Sequence, residues 1–195
     1  MTPLPLPLLV VERIMPSAHL RSWVTDEEWA ESERFDSEQR RAEWLTWHAV
    51  VHRVLGREAK VRYNEVGAPY VEGSKIHFSV SHSKSLLAVL FSEHRCGVDV
   101  ERLDRRFDRI SSKYLTPEEQ RLGCDARFMA AAWSAKEALY KYVGEKGLSL
   151  FDDIRIVAYE AGHTITAQIK DGEPLQLSIR EYSLDDGIYQ AVTID

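Results

Sequence analysis

Two acidic side chains alternate with valines in the segment 96–102 (CGVDVER). If this segment is a strand, Asp99 and Glu101 point to one face, while Val98 and Val100 point into the core. Two carboxylates at that separation repel each other unless a cation or a proton lies between them, and a hard ion such as Mg²⁺ prefers oxygen ligands. The pattern is typical of either a metal site or a solvated strand face.

A second group of polar side chains lies in the segment 133–141 (WSAKEALYK). On a helix, Trp133, Glu137 and Lys141 follow one another at intervals of four residues and line one face. If this face looks into a cleft, Glu137 supplies a third oxygen ligand, and Lys141 and Lys136 supply positive charge for a phosphate. A Glu–Lys pair at this spacing also stabilises an exposed helix by about 0.3 kcal/mol, so both interpretations stay open.

Two further polar segments have competing explanations. Ser81 and His82 end an alternating strand pattern and offer donors suited to an anion, but no G-x-S-x-G elbow marks Ser81 as a hydrolase nucleophile. His82 taken alone is more often a structural turn residue. Thr116 and Glu119 have the spacing of a capping box, which explains Glu119 without any chemistry.

The composition is that of a globular protein, with 195 residues, 44% of them hydrophobic and 29% charged. The net charge of −6 argues against a protein that coats nucleic acid. Cys96 and Cys124 form neither a zinc motif nor a disulfide framework, which favours a reducing cytoplasm. The apolar, proline-rich N-terminus lacks a basic start and is too short to span a membrane, so we expect an edge strand at residues 8–11.

Hydrophobic periodicity predicts the elements that position these residues. A helix is expected over residues 37–55, ended by Gly56, and a second one from about Phe128 to Gly144. Each helix is followed by an alternating strand, a short turn and an apolar strand. The predicted strands cover residues 76–80, 86–91, 97–101, 154–159, 164–169, 175–182 and 189–194.

These elements indicate two copies of one structural unit. We expect an α+β, pseudo-dimeric fold in which each lobe is an antiparallel sheet packed on a long helix. The N-terminal lobe is expected over residues 1–101 and the C-terminal lobe over residues 102–195, both within one compact body. A ligand pocket between the lobes is the default expectation.

The order SHS, GVDVE and WSAKEALYK resembles the 4′-phosphopantetheinyl transferases of the larger, surfactin-synthetase-activating type, over roughly residues 34–148. The W-S-x-K-E-A-x-x-K string is the specific part of this resemblance. The related holo-acyl-carrier-protein synthases are much shorter, carry the G-x-D motif near their start and form trimers. Because that motif lies in the middle of this chain, the resemblance implies a pseudo-dimeric monomer.

The resemblance implies Mg²⁺-dependent transfer of the phosphopantetheine arm of coenzyme A to a serine of a carrier protein, with release of 3′,5′-ADP. The positions that match the family are Asp99, Glu101 and Glu137 for the metal, Ser81 and His82 for the 3′-phosphate region, Lys141 for the pyrophosphate, and Glu119 for a carboxylate near the metal or the carrier serine. Glu137 is the first candidate for the base and Glu119 the second.

The chain departs from the family pattern at expected coenzyme A contacts. Glu28 and Glu31 lie where many relatives have basic residues, and Ala68 lies where many have lysine. The contacts to the nucleotide are then expected from the remaining cationic side chains. These are His82, Arg34, Arg40, Arg41 and, on the second predicted helix, Lys136.

Residues 102–113, here called the basic segment, hold five basic and two acidic side chains, a local charge of +3. Such a segment is usually a solvated face, but it is also where an acidic carrier protein would dock, between Arg102 and Lys113. Two other functions stay open: a Mg²⁺-dependent phosphoesterase built on the same carboxylates, and a non-catalytic module that binds a carrier protein or coenzyme A. A non-catalytic module is expected to have lost some of the three acidic residues, but Asp99, Glu101 and Glu137 are all present.

Overall fold

The computed structural model describes residues 5–195, and within them the elements follow the predicted order. The helices are α1 (Asp26–Ser32), α2 (Glu38–Leu55) and α3 (Ala126–Val143). The strands are β1 (Leu8–Arg13), β2 (Val61–Tyr63), β3 (Pro69–Val71), β4 (His77–Ser83), β5 (Leu86–Ser92), β6 (Gly97–Arg102), β7 (Ile154–Glu160), β8 (Thr164–Ile169), β9 (Leu175–Leu184) and β10 (Gly187–Ile194). The basic segment contains short 3₁₀ turns rather than an α-helix.

The strands form two main antiparallel sheets and a small hairpin. The first sheet has the order β1-β5-β4, the second has the order β6-β10-β9-β8-β7, and β2 pairs with β3. Strand β1 pairs only with β5 among the described residues, which confirms the edge position that its prolines predict. The expected α+β class with antiparallel sheets is therefore confirmed.

The two sheets repeat one arrangement. In each, the first strand (β1 or β6) pairs with the last strand of the unit (β5 or β10), which forms a hairpin with the strand before it (β4 or β9). A helix of 18 residues, α2 or α3, lies between the first strand and that hairpin in each unit. Because β6 is hydrogen-bonded to β10, it belongs to the second sheet. The expected division of the chain into lobes after Glu101 stays a prediction.

Both long helices end at the predicted glycines, and α2 begins as expected, whereas α3 begins at Ala126, before the expected start at Phe128. The side chain of Ser37 accepts a hydrogen bond from the first turn of α2, and Asp125 does the same for α3. Gly56 ends α2, and Gly144 ends α3 in the left-handed conformation. None of the helices in the described part of the chain has the length and apolar character needed to cross a lipid bilayer.

Small residues allow α3 to lie directly against β6. Ala130, Ala135 and Ala138 are buried on the side of the helix that packs against the second sheet. A Cβ atom at Gly97 would lie 2.0 Å from the carbonyl oxygen of Ala138, so no larger residue fits there without movement. This close approach brings the last turns of α3 beside the alternating carboxylates of β6.

The two lobes meet along β4 and β6 through serine side chains instead of a backbone ladder. The Oγ atoms of Ser79, Ser81 and Ser83 accept hydrogen bonds from the backbone N–H groups of Val98, Val100 and Arg102, at 3.1, 3.2 and 3.3 Å. We call these three serines the serine ladder. Because side chains on a strand alternate, every second residue of β4 reaches β6, and the ladder satisfies donors that the edge of β6 would leave unpaired.

Candidate active site

Asp99 lies where the two lobes and α3 meet. Its Oδ1 atom accepts a hydrogen bond from Ser81 Oγ at 2.8 Å and another from Lys141 Nζ at 2.9 Å. Lys141 also donates to the carbonyl oxygen of Val98 at 2.9 Å, which holds its ammonium group at β6. The Oδ2 atom of Asp99 is buried and has no hydrogen-bond partner among residues 5–195.

Glu101 lies two residues further along β6 and is also buried. Ser83 Oγ donates to one of its carboxylate oxygens at 2.9 Å, and Arg105 forms an ion pair with the other. Burial and the charge of Asp99 raise the pKa of Glu101 to about 7, against the opposing effect of Arg105. The carboxyl group therefore titrates near neutral pH.

Glu137 shares this electrostatic environment from the side of α3. Burial and then the charge of Asp99 raise its pKa, whereas Lys141 and Arg105 lower it. The partly exposed side chains of Trp133, Glu137 and Lys141 lie at intervals of four residues on α3, as the sequence predicts. The structure therefore brings the two motifs of the sequence to one place.

No three His, Cys, Asp or Glu side chains among the described residues are assembled closely enough to hold a metal ion as they stand. Lys141 and Arg105 instead balance the charges of Asp99 and Glu101. The chemistry of the site still fits a hard divalent ion, because oxygen ligands repel one another there and the Oδ2 atom of Asp99 is buried without a partner. The metal triad that includes Glu137 therefore stays a prediction.

A groove between the lobes leads to Lys141. It has a volume of about 280 Å³ and runs between the β2–β3 turn, strand β4 and the end of α3. Its walls include Gly67, Ala68, Pro69, Phe78, Tyr140 and Lys141. The sequence predicted a pocket between two lobes, and the groove lies at that place.

A second pocket of about 300 Å³ lies on the N-terminal lobe around His82. Aromatic side chains and Arg40 line it together with Glu43. The Nδ1 atom of His82 is 3.5 Å from a carboxylate oxygen of Glu43, and its side chain is about half exposed. His82 and Arg40 are therefore placed where an anionic ligand could contact both.

Comparison with known proteins identifies the family. A family model described as the 4′-phosphopantetheinyl transferase superfamily matches residues 95–192, which is half of the chain and includes β6, α3 and the second sheet except the last residues of β10. The chain belongs to this superfamily.

Curated relatives agree with this membership. A 4′-phosphopantetheinyl transferase of Bacillus subtilis is 30% identical over 137 residues, which cover 66% of this chain and 59% of the relative. The 4′-phosphopantetheinyl transferase gsp of Aneurinibacillus migulanus is 25% identical over 132 residues, covering 65% of this chain and 54% of the relative. A holo-[acyl-carrier-protein] synthase of Geobacillus kaustophilus (strain HTA426) is 34% identical over 111 residues, covering 49% and 84%. The chain thus spans little more than half of the first two relatives.

Lys136 and Glu119, for which the sequence predicts roles at the site, lie buried in the core. Lys136 and Glu119 form an ion pair at 2.7 Å, with 0% and 1% of their side chains exposed. Glu119 also accepts hydrogen bonds from the backbone N–H groups of Thr116 and Ile156, both at 2.7 Å. These contacts do not support the expected catalytic role of Glu119 or the coenzyme A contact of Lys136, and they confirm the capping interaction between Glu119 and Thr116.

The reason lies in the geometry of the helix. Lys136 precedes Glu137 by one residue, so the two side chains leave α3 about 100° apart. The site side of the helix carries Glu137, and the buried side carries Lys136. A lysine next to a site residue in sequence is thus directed away from the site in the fold.

The residues expected to bind the nucleotide have different partners in the structure. Ser81 is directed at Asp99 and at the backbone of β6, and its expected role as an anion ligand stays a prediction. The guanidinium group of Arg41 contacts α1, where it donates to Ser32 and stacks over Trp29 at 4.6 Å. Arg34 is more exposed and pairs with Glu31 at 2.8 Å.

The contact between Arg105 and Glu101 is not predicted by the sequence, where Arg105 is only one charge of the basic segment. The usable signal is its position four residues after Glu101, although that spacing predicts a contact only on a helix, and here a strand is followed by a turn.

Proposed function

We propose that this protein transfers the 4′-phosphopantetheine arm of coenzyme A to a serine hydroxyl of an acyl or peptidyl carrier protein. The proposed reaction depends on Mg²⁺ and releases 3′,5′-ADP. The observation that carries the proposal is the position of Asp99, which is bonded to Ser81 of one lobe and Lys141 of the other, and whose charge reaches Glu101 and Glu137.

The three carboxylates would hold the metal, with the buried Oδ2 atom of Asp99 as one ligand atom. A divalent ion bound there would supply neutralisation of the negative charge on the diphosphate of coenzyme A. Lys141 adds a fixed ammonium group at the end of the groove, where it favours the charge that develops on the leaving phosphate oxygen.

Glu137 is the proposed base. The serine oxygen forms a bond to the phosphorus that carries the pantetheine arm, the bond from that phosphorus to the bridging oxygen of the 3′,5′-ADP group breaks, and Glu137 receives the hydroxyl proton. Burial and the charge of Asp99 raise the pKa of Glu137, which makes its carboxylate a stronger base. Glu119 is withdrawn from this role because it is buried against Lys136.

The two substrates would approach from different sides. Coenzyme A would lie along the interlobe groove, with His82 and Arg40 as the candidate contacts for its 3′-phosphate. An acidic carrier protein would dock on the basic segment, which begins at the last residue of β6 and contacts Glu101 through Arg105.

We also propose that the protein acts as a monomer in a reducing cytoplasm. Its support is that two repeated units in one chain form both walls of the groove, and that both cysteines, Cys96 and Cys124, are free thiols. Nucleic acid is not a proposed partner, because the net charge of the chain is −6.

A mass measurement tests the proposed transfer. After incubation with coenzyme A, Mg²⁺ and an apo carrier protein, the carrier gains the mass of one phosphopantetheine arm. Glu137→Gln is expected to lower the transfer rate by about 10²–10⁴-fold, because it removes the base and one metal ligand. Glu118→Gln changes an exposed carboxylate outside the site and serves as the matched control.

Two results would contradict the proposal. Hydrolysis of coenzyme A with an unmodified carrier would instead favour a phosphoesterase. Full activity of Glu137→Gln would remove Glu137 from both proposed roles.

A further inference from the structure

Arg105 occupies a defined position at the rim of the site. Its guanidinium group pairs with Glu101 and lies over two aromatic rings, 5.1 Å from the ring centre of Phe107 and 5.2 Å from that of Trp133. The two rings are 6.2 Å apart, and Trp133 packs edge-on against Tyr114 at 5.2 Å. The aromatic pair therefore gives the cation a second favourable contact besides the carboxylate.

This position coincides with the place of a metal ligand in the proposed site. Both oxygens of Glu101 are engaged, one by Arg105 and the other by Ser83. Asp99, in contrast, keeps one buried oxygen without a partner in the described chain. Glu101 can coordinate a divalent ion through the oxygen that Arg105 holds only if the guanidinium group moves away, because two cations at one carboxylate repel each other.

We propose that Arg105 is an internal competitor for the divalent cation, so that the guanidinium group and the metal exclude each other at Glu101. This inference rests on the proposed function only in that it concerns the same metal site. On metal binding, Glu101 exchanges its partner, while Phe107 and Trp133 keep the released guanidinium group at the rim. Arg105 thus sets the metal affinity of the free protein.

Titration of the full-length protein with Mn²⁺ tests this proposal, by calorimetry and by the electron paramagnetic resonance signal of the free ion, without coenzyme A or carrier. Arg105→Met is expected to raise the affinity for Mn²⁺ about tenfold or more, because it removes a competing charge-assisted hydrogen bond. Arg106→Met is the matched control. It removes the same charge from the same segment, but Arg106 is exposed and pairs with Asp108 instead of a proposed ligand. We expect its affinity to change less than about twofold, as for other exposed ion pairs.

Trp133 offers a second readout, since the guanidinium group lies over its ring. Mn²⁺ or Mg²⁺ is expected to change the tryptophan emission of the parent protein, and Trp133→Phe should remove that change. An equal rise in affinity for Arg105→Met and Arg106→Met would overturn the proposal, because bulk charge would then explain it. An unchanged or weaker affinity in Arg105→Met, or no metal binding by either protein, would also overturn it.

The outcome is independent of the transfer assay. If no carrier protein is modified but Arg105→Met binds Mn²⁺ more tightly, the proposed function fails and the competition stands. If transfer occurs and the affinities are equal, the reverse holds.

Discussion

Neighbouring residues of α3 have opposite environments. Glu137 is partly exposed at the site, whereas Lys136 is fully buried and paired with Glu119. Burial lowers the pKa of Lys136, and the ion pair with Glu119 opposes that change. The pair connects α3 to the turn before it and, through the backbone of Ile156, to β7. Removing one partner of a buried pair of this kind strongly lowers the free energy of unfolding, because the remaining charge has no water around it.

Lys136→Met is therefore expected to lower the free energy of unfolding by about 3–5 kcal/mol. Transfer activity measured well below the unfolding temperature should stay within a few-fold of the parent, since Lys136 does not reach the site. Urea denaturation gives the first quantity, and Lys146→Met, which changes an exposed lysine just after the same helix, is the control. A stable variant without activity would restore a substrate contact to Lys136.

At the scale of elements, strand β4 holds strand β6 in place and also contacts the carboxylates of the site. All three residues of the serine ladder accept backbone N–H groups of β6, but they differ in what their hydroxyl groups donate to. Ser81 donates to Asp99 and Ser83 to Glu101, whereas Ser79 has no such carboxylate partner in the described chain. The ladder thus positions β6 and orients its two carboxylates with the same side chains.

This difference allows a matched pair of substitutions. Ser79→Ala and Ser81→Ala each leave a buried N–H group unpaired, so each is expected to lower the free energy of unfolding by about 1–3 kcal/mol. Only Ser81→Ala should also weaken Mn²⁺ binding and transfer, because Asp99 loses an orienting hydrogen bond. Chemical denaturation and the Mn²⁺ titration measure the two effects. Equal losses of binding in both variants would mean that the ladder acts on the site only by joining the lobes.

At the scale of the whole molecule, acid affects the N-terminal lobe through a buried cluster between α1 and α2. Burial lowers the pKa of His48 to about 4. Burial raises the pKa of Glu28, but the hydrogen bonds from His52 and Thr25 outweigh it and lower the value to about 2. The folded state therefore binds fewer protons at both groups than the unfolded chain, and their contributions to stability are lost as the pH falls, between 6.5 and 4 for His48 and between 4.5 and 2 for Glu28.

Other groups titrate with the opposite sign. The pKa of His52 is raised by its hydrogen bond to Glu28 against the effect of burial, so its contribution is present at low pH and is lost as the pH rises. The raised pKa of Glu101 means that the folded state holds a proton that the unfolded chain releases. The free energy of unfolding therefore falls as the pH rises from 4.5 to about 7. The pKa values of Asp108 and Asp186 in the C-terminal lobe are also lowered, but the large shifts of His48 and Glu28 assign most of the acid sensitivity to the N-terminal lobe.

His48→Gln tests this assignment. Glutamine keeps a donor for the carbonyl oxygen of Trp44 but cannot take up a proton in this range. We expect the loss of unfolding free energy between pH 6.5 and 4 to shrink by up to about 3 kcal/mol relative to the parent. Thermal or urea unfolding across this range measures it, with the exposed His94 changed to Gln as control. An unchanged pH slope in His48→Gln would assign the sensitivity to other groups.

The sequence by itself determined the α+β class, both long helices and the family, but it did not predict α1. The helix over residues 38–55, its glycine end and the β4–β5 and β9–β10 hairpins follow from patterns within about twenty residues, where periodicity and capping act. The motifs around Asp99 and Glu137 carried the resemblance because side chains at fixed spacing on a strand or a helix share a face whatever surrounds them.

Only the tertiary structure decided which side chains meet. Strand β6 pairs with β10, far along the chain, and its apolar residues do not encode which edge they join. The bond of Ser81 to Asp99 and that of Lys141 to the same carboxylate join residues 18 and 42 positions apart, while Lys136 finds Glu119 in the core. The partner and the burial of a charged group depend on how distant segments pack. The local pattern therefore places Glu137 on one face of a helix, but it does not predict that Arg105 pairs with Glu101.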